Sequence, residues 1–105
     1  MLYTVVMDYR GGTYVAQVSA RSVTAALKLW SEGLDTGVID ELGREQKKEL
    51  IHHTTDFRVE KPVLLNGLVN VWCASALTSG GLATINVVAT NPSKPNSSRP
   101  NRKGR

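Results

Sequence analysis

The sequence predicts an α+β fold with the element order β-β-α-α-β-β. Two segments alternate apolar and polar residues on either side of a Gly-Gly pair, which is typical of β-hairpins. Between them, two segments carry apolar residues at helical spacing. A length of 105 residues suits one domain. We therefore expect a two-layer sandwich, in which four strands form one mostly antiparallel sheet and the helices cover one of its faces.

The first hairpin is predicted from LYTVVMDYRGGTYVAQVSA, with Gly11 and Gly12 supplying the positive φ angles of a two-residue turn. In that register the pairs on the core side are Tyr9–Tyr14, Met7–Ala16, Val5–Val18 and Tyr3–Ala20. A slip of one residue would exchange the two faces of each strand. The separation of apolar from mixed positions therefore supports the hairpin.

Two helices are predicted to follow. Ser22 is a favourable N-cap for the first helix, because its hydroxyl can accept a hydrogen bond from a free N–H of the first turn. Its apolar stripe consists of Val23, Ala26, Leu27, Trp30 and Leu34. A more polar second helix is predicted over roughly residues 43–53, and residues 54–67 are predicted to be a loop.

The second hairpin is predicted on either side of Gly80-Gly81. A turn at these glycines pairs Ala76 with Ile85. A four-residue loop over residues 78–81 would change the partners and keep the same faces. In both cases the face expected to meet the helices combines residues of both hairpins: Val5, Met7, Trp72, Ala74, Ile85 and Val87. Trp30 and Trp72 are both expected to be largely buried.

The opposite face of the sheet is the predicted interaction surface. It mixes valines and a leucine with neutral polar residues, and an apolar surface of this kind favours a covering partner. A protein partner or a second copy of the chain, forming a homodimer, would supply that cover. The candidate interface residues are Val6, Val15, Gln17, Val71, Cys73, Ser75, Leu77, Asn86 and Val88.

No residue pattern indicates catalysis, a bound metal or a cofactor. Cys73 is the only cysteine, and its sequence neighbours offer neither a base nor a helix N-terminus to lower its pKa. His52 and His53 are adjacent, so on a helix their side chains diverge by about 100° and do not suit one metal ion. Neither Gly-Gly pair leads into a helix, as a phosphate-binding loop does.

The basic charge of the chain is concentrated at its end. Residues 91–105 carry five basic and no acidic side chains, whereas residues 1–90 carry eight basic and nine acidic ones. We expect residues 1–90 to form the domain and residues 91–105 to be a disordered basic tail. The tail residues that could contact a polyanion such as nucleic acid are Lys94, Arg99, Arg102, Lys103 and Arg105.

The stretch YTVVMDYRGGTYVAQVSARSVTAAL, residues 3–27, resembles the opening of HicB-type antitoxin domains. Those domains also begin with a hairpin of the form Y-x-V…G-G-x-Y-x-A, followed by a helix that starts S-x-x-x-A-L. The resemblance implies a bacterial toxin-neutralising or regulatory module. The chain lacks the Pro-Gly-Cys strand that usually precedes the helix in that family, and its end contains no recognisable DNA-binding unit. No functional residue is therefore carried over.

Two functions are consistent with the sequence. The first is a non-catalytic binding or regulatory module that acts through the open sheet face or an edge strand. The second is a nucleic-acid-associated, antitoxin-like regulator whose basic tail contacts phosphates. We expect a cytoplasmic protein, because the N-terminus has no basic and apolar signal-peptide pattern and no apolar run approaches the length of a membrane helix.

Overall fold

The computed structural model describes residues 1–39, 42–55 and 62–90. It confirms the α+β class, and it contains five strands rather than the four predicted. In chain order the elements are β1 Leu2–Tyr9, β2 Gly12–Ser19, α1 Val23–Glu32, α2 Arg44–Thr55, β3 Val63–Leu64, β4 Val71–Thr78 and β5 Gly81–Thr90.

All five strands belong to one sheet with the order β2-β1-β5-β4-β3, and every neighbouring pair is antiparallel. The first and fifth strands therefore lie side by side in the middle of the sheet. Val5 pairs with Val87 and Met7 with Ile85 across this central seam. The seam joins the two hairpins into one sheet, so both contribute to the same two faces.

The first hairpin turns one residue earlier than predicted. Tyr9 pairs with Gly12, so the turn residues are Arg10 and Gly11, with φ of 51° and 81°. The predicted register was wrong by two residues, and the faces survive because side chains alternate with a period of two. Gly12 is instead a strand residue beneath the Tyr14 ring. A Cβ on Gly12 would lie 2.7 Å from the Tyr14 hydroxyl oxygen, which explains why a second glycine is accommodated here.

The second hairpin adopts the alternative pairing. Thr78 pairs with Gly81 and Ala76 with Ala83, so the turn at Gly80-Gly81 was wrong. Ser79 and Gly80 form the turn, and Gly81 begins β5 with φ of 137°. In both hairpins the second glycine of the pair is thus the first residue of the returning strand.

The first helix begins as predicted. The Ser22 hydroxyl accepts a hydrogen bond from Ala25 N–H at 3.1 Å, and α1 buries Ala26, Leu27 and Trp30. The helix ends at Gly33, whose N–H donates to the Leu29 carbonyl at 3.1 Å. The N-cap and the apolar stripe are therefore confirmed.

The predicted loop over residues 54–67 was wrong at its start and at residues 63–64, and residues 56–61 lie outside the described part of the chain. Thr54 and Thr55 extend α2, and the buried Thr54 hydroxyl donates to the Leu50 carbonyl at 2.9 Å. That bond satisfies a polar side chain inside the helix, which residue type alone does not reveal. Further along, Val63 and Leu64 pair with β4 as the short strand β3. Two residues are too few to show a strand period.

The core combines side chains of both helices with side chains of the predicted sheet face. Val5, Met7, Ile85 and Val87 have no exposed surface, and Leu27 and Leu50 of the two helices are equally inaccessible. Trp30 is 4% exposed, as predicted. Trp72 is only partly buried, which corrects the expectation for this residue. It lies near the β3 edge of the sheet, where its ring meets Tyr3 edge-on with centroids 6.3 Å apart.

Candidate functional site

The candidate site is the sheet face that points away from the core, here called the open face. Residues paired across antiparallel strands share a face, so the register assigns every side chain. All nine predicted interface residues lie on this face. The central row crosses all five strands and consists of Val15, Val6, Asn86, Cys73 and Val63.

Neighbouring rows complete the surface. One row joins Gln17, Thr4, Val88 and Val71. The row on the other side joins Thr13, Asp8, Thr84 and Ser75. Beyond it, Leu77 pairs with Leu82, and these leucines are 66% and 56% exposed. The sheet therefore brings the predicted residues together as one contiguous surface with an apolar pair at one end.

Two apolar members of this surface, Leu82 and Val63, are absent from the predicted list of interface residues. Leu82 follows from the second hairpin once its register is known, because it is the direct partner of Leu77. Val63 lies in the strand that was predicted to be loop, and it joins the central row by pairing with Cys73. No local signal identifies Val63, since only its pairing with β4 places it there.

The electrostatic character of the open face is distinctive. Among the described strand residues that share it, Asp8 is the only charged side chain. Many of the domain's other charges lie on the helices, where Lys28 and Glu32 form an ion pair at 3.2 Å on α1. Charged residues are depleted in the cores of protein–protein interfaces, and the open face shows the same depletion.

The polar side chains of the open face bond to one another. Thr90 donates its single hydroxyl hydrogen to the Val88 carbonyl at 3.2 Å. Across the 2.7 Å contact between their hydroxyl oxygens, Thr4 is therefore the donor to Thr90. Thr4 in turn accepts from Gln17 Nε2 at 3.0 Å. In the next row the Thr13 hydroxyl donates to Asp8 Oδ1 at 2.6 Å.

Asn86 occupies the centre of the open face, between Val6 and Cys73 of the neighbouring strands. Its side chain is partly buried, and its carboxamide makes no hydrogen bond to any other residue in the described ranges. The amide offers two donor hydrogens and one acceptor oxygen. Asn86 can therefore supply directional hydrogen bonds in the middle of a largely uncharged surface.

Cys73 belongs to the central row and is partly exposed. Its Sγ lies 3.9 Å from the carbonyl oxygen of Ala74, which is a weak contact. Within residues 1–39, 42–55 and 62–90, no group of three or more His, Cys, Asp or Glu side chains could hold a metal ion. The neighbouring rings of His52 and His53 stack edge-on with centroids 5.7 Å apart.

Two further expectations concern the rest of the chain. The predicted polyanion contacts, Lys94, Arg99, Arg102, Lys103 and Arg105, lie outside the described residues. In the part of the chain that the structure describes, no helix is both long and apolar enough to cross a membrane.

Comparison of the chain with protein-family models, with curated proteins and with solved structures gives no match. The resemblance to HicB-type antitoxins therefore stays a prediction.

Proposed function

We propose that this protein is a non-catalytic binding module that recognises a protein partner through the open face of its sheet. In this arrangement the two helices form one layer, and the sheet is the second layer with its outer surface left for the partner. The observation that carries the proposal is the near absence of charge from that surface, where Asp8 is the only ionised group among the described strand residues.

The hydrogen bonds within the face lower the cost of covering it. Burying a hydroxyl or amide that loses its water without gaining a partner costs about 1–3 kcal/mol. Thr4, Gln17 and Thr90 already bond to one another, so a partner that displaces water from them leaves these bonds intact. Covering these three side chains therefore carries no large desolvation penalty.

The apolar residues supply affinity and Asn86 supplies orientation. The exposed pair Leu77–Leu82 lies at one end of the face, and burial of such side chains contributes about 25 cal/mol for each Å² removed from water. The open carboxamide of Asn86 at the centre favours a partner that presents a complementary donor and acceptor. The chemistry thus suits a largely uncharged protein surface with one polar group near its middle.

Charge insertion at the centre of the face tests this function. The immobilised full chain captures proteins, and a purified captured protein is then titrated by calorimetry against the wild type, Asn86→Lys and Val88→Lys. We expect each lysine to weaken binding by about tenfold or more, because it must be desolvated within the interface. The matched control is Glu45→Gln on α2, which changes the net charge by the same amount as either lysine variant and should leave the affinity unchanged.

A partner whose affinity ignores both lysine variants, or responds equally to Glu45→Gln, contradicts the proposal. The alternative function, nucleic-acid association through residues 91–105, gives a different pattern. Binding to duplex DNA or RNA would fall steeply with salt because phosphate contacts release counterions. It would also disappear when residues 91–105 are deleted and would be insensitive to Asn86→Lys.

A further inference from the structure

Among residues 1–39, 42–55 and 62–90, β2 pairs only with β1, so within this part of the chain its outer edge is an unpaired strand edge. Tyr9 and Gly12 flank a two-residue turn and so form a doubly hydrogen-bonded pair, after which bonded and non-bonded pairs alternate along the hairpin. The Ala20 N–H donates to the Met1 carbonyl at 3.0 Å, in step with this alternation. The N–H and C=O groups that point away from β1 therefore belong to Thr13, Val15, Gln17 and Ser19.

This edge has none of the usual protection against strand pairing. Natural sheets guard their edges with charges, prolines, bulges or very short strands. β2 is eight residues long and reads GTYVAQVS, with no charged residue and no proline. The opposite edge of the sheet is β3, which is only two residues long. The β3 edge is thus protected by its shortness, whereas no other described strand pairs with the outer edge of β2.

An apolar groove runs beside the free edge. Its volume is about 590 Å³, with β2 as one wall and the end of α1 and the segment after it as the other. Leu29 and Val38 line that second wall and are 49% and 71% exposed. A strand laid against β2 would also contact these side chains, so it would gain main-chain hydrogen bonds and apolar burial together.

We propose that the occupant of this edge is β2 of a second copy of the chain, paired antiparallel about a two-fold axis at Ala16. With the axis at Ala16, Thr13 pairs with Ser19 and Val15 with Gln17 of the other copy. In this register the backbone N–H and C=O groups that point away from β1 form hydrogen bonds at all four residues. A shift of the axis to Val15 or Gln17 would leave at least one of them without a partner inside β2.

Opposite charges lie at the two ends of the interface between the paired β2 strands in this register. Arg21 follows Ser19 by two residues and is exposed. Ser19 lies opposite Thr13 of the second copy, and the Thr13 hydroxyl donates to the exposed carboxylate of Asp8. Arg21 of each copy therefore approaches Asp8 of the other, and the two-fold axis produces this contact twice. The strand between these ends is uncharged, so no like charges face each other across it.

A self-crosslink tests the register. Ala16 on the axis is a non-hydrogen-bonded pair, for which the Cα atoms lie about 4.5 Å apart, within the range that a disulfide spans. Ala16→Cys in a Cys73→Ser background should oxidise to a covalent dimer. Ser19→Cys in the same background is the control, because its two copies would lie about 20 Å apart along the strand. The result that overturns the proposal is no crosslink at Ala16, or equal crosslinking at both positions.

Sedimentation equilibrium of the full chain gives a second measurement that does not require a new covalent bond. Ala16 is exposed in the single chain, so Ala16→Lys is compatible with its fold. It should raise the dimer dissociation constant by about tenfold, because two like charges meet at the axis, whereas Ala16→Ser should not. Asp8→Arg or Arg21→Asp alone should weaken the dimer, and the double exchange should restore it. A wild-type chain that stays monomeric at high concentration overturns the proposal.

This inference is independent of the function proposed for the open face. Ala16 lies on the helix-facing side of β2, so Ala16→Lys should leave partner binding at Asn86 intact. Conversely, Asn86→Lys should leave the crosslink at Ala16→Cys unchanged. Paired edges would join the open faces of two copies into one continuous ten-stranded surface. Partner binding at the open face and pairing of the β2 edges can therefore be tested separately, and a negative result for one leaves the test of the other valid.

Discussion

The hydroxyl of Tyr9 donates to the hydroxyl oxygen of Thr78, and the two oxygens lie 3.1 Å apart in the core. The direction follows from Thr78, whose single hydroxyl hydrogen is donated to the Gly81 carbonyl at 2.9 Å. The same oxygen also accepts from Gly80 N–H at 3.1 Å. One buried threonine thus connects the end of β1 to the turn of the second hairpin.

The first prediction concerns this contact. Thr78→Val keeps the shape of the side chain and removes the oxygen, so it should lower the free energy of unfolding by about 1–3 kcal/mol. Urea unfolding measures the change. Tyr9→Phe should cost less, about 0.5–1.5 kcal/mol, because it leaves the two bonds of Thr78 to Gly80 and Gly81 in place. In the double variant the two losses should be clearly less than additive, and additive losses would contradict the shared bond.

The second prediction concerns the first turn. Gly11 has φ of 81° and free space around its Cα, so the cost of Gly11→Ala comes from the backbone alone. A left-handed conformation costs a residue with a Cβ about 1–2 kcal/mol. Thermal unfolding should show this loss. Arg10→Asn is the comparison, since asparagine suits the first position of this turn, although it removes the exposed bond from Arg10 Nη1 to the Gly80 carbonyl. It should therefore cost less than Gly11→Ala. If Gly11→Ala leaves the thermal stability unchanged, the result contradicts a turn at Arg10 and Gly11.

The third prediction concerns the start of α1. Ser22→Ala removes the acceptor for the Ala25 N–H and should lower stability by about 1 kcal/mol. Ser22→Asp should retain most of the stability that the cap contributes, because a carboxylate accepts the same hydrogen bond and suits the positive end of the helix dipole. Ser19→Ala at an exposed strand position serves as the control in the same chemical denaturation experiment. Equal effects of Ser22→Ala and Ser19→Ala would show that the cap contributes nothing.

The fourth prediction separates the two tryptophans. Trp30 is almost completely buried, so Trp30→Ala should cost about 3–5 kcal/mol. Trp72 is partly exposed, so Trp72→Ala should lower the free energy of unfolding by a smaller amount. Acrylamide quenching of the single-tryptophan variants Trp30→Phe and Trp72→Phe reports the difference directly. The fluorescence of Trp72 should be quenched more strongly, and the reverse order would contradict the position of Trp72 at the margin of the core.

Much of the candidate site could be predicted from the sequence because it depends only on which face a strand residue occupies. Cys73 and Asn86 were assigned to one face by alternation within each hairpin. The direct pairing of Cys73 with Asn86 depends on the register of the second hairpin, for which the sequence left two alternatives open. The pairing of Asn86 with Val6 depends on how β5 lies against β1. That contact joins residues about 80 positions apart in the chain, and no local pattern encodes it.

The sequence by itself determined the class of fold, the two hairpins, the cap of α1 and the division of strand residues between two faces. These features follow from local periods and from side chains that bond to their own neighbours. The tertiary structure decided the rest. Both turns lie one residue earlier than the glycine pairs predict, since Gly12 pairs with Tyr9 and Gly81 with Thr78 as strand residues. The tertiary structure also paired β3 with β4 and left β2 at an edge, since those positions depend on contacts between segments distant in the chain.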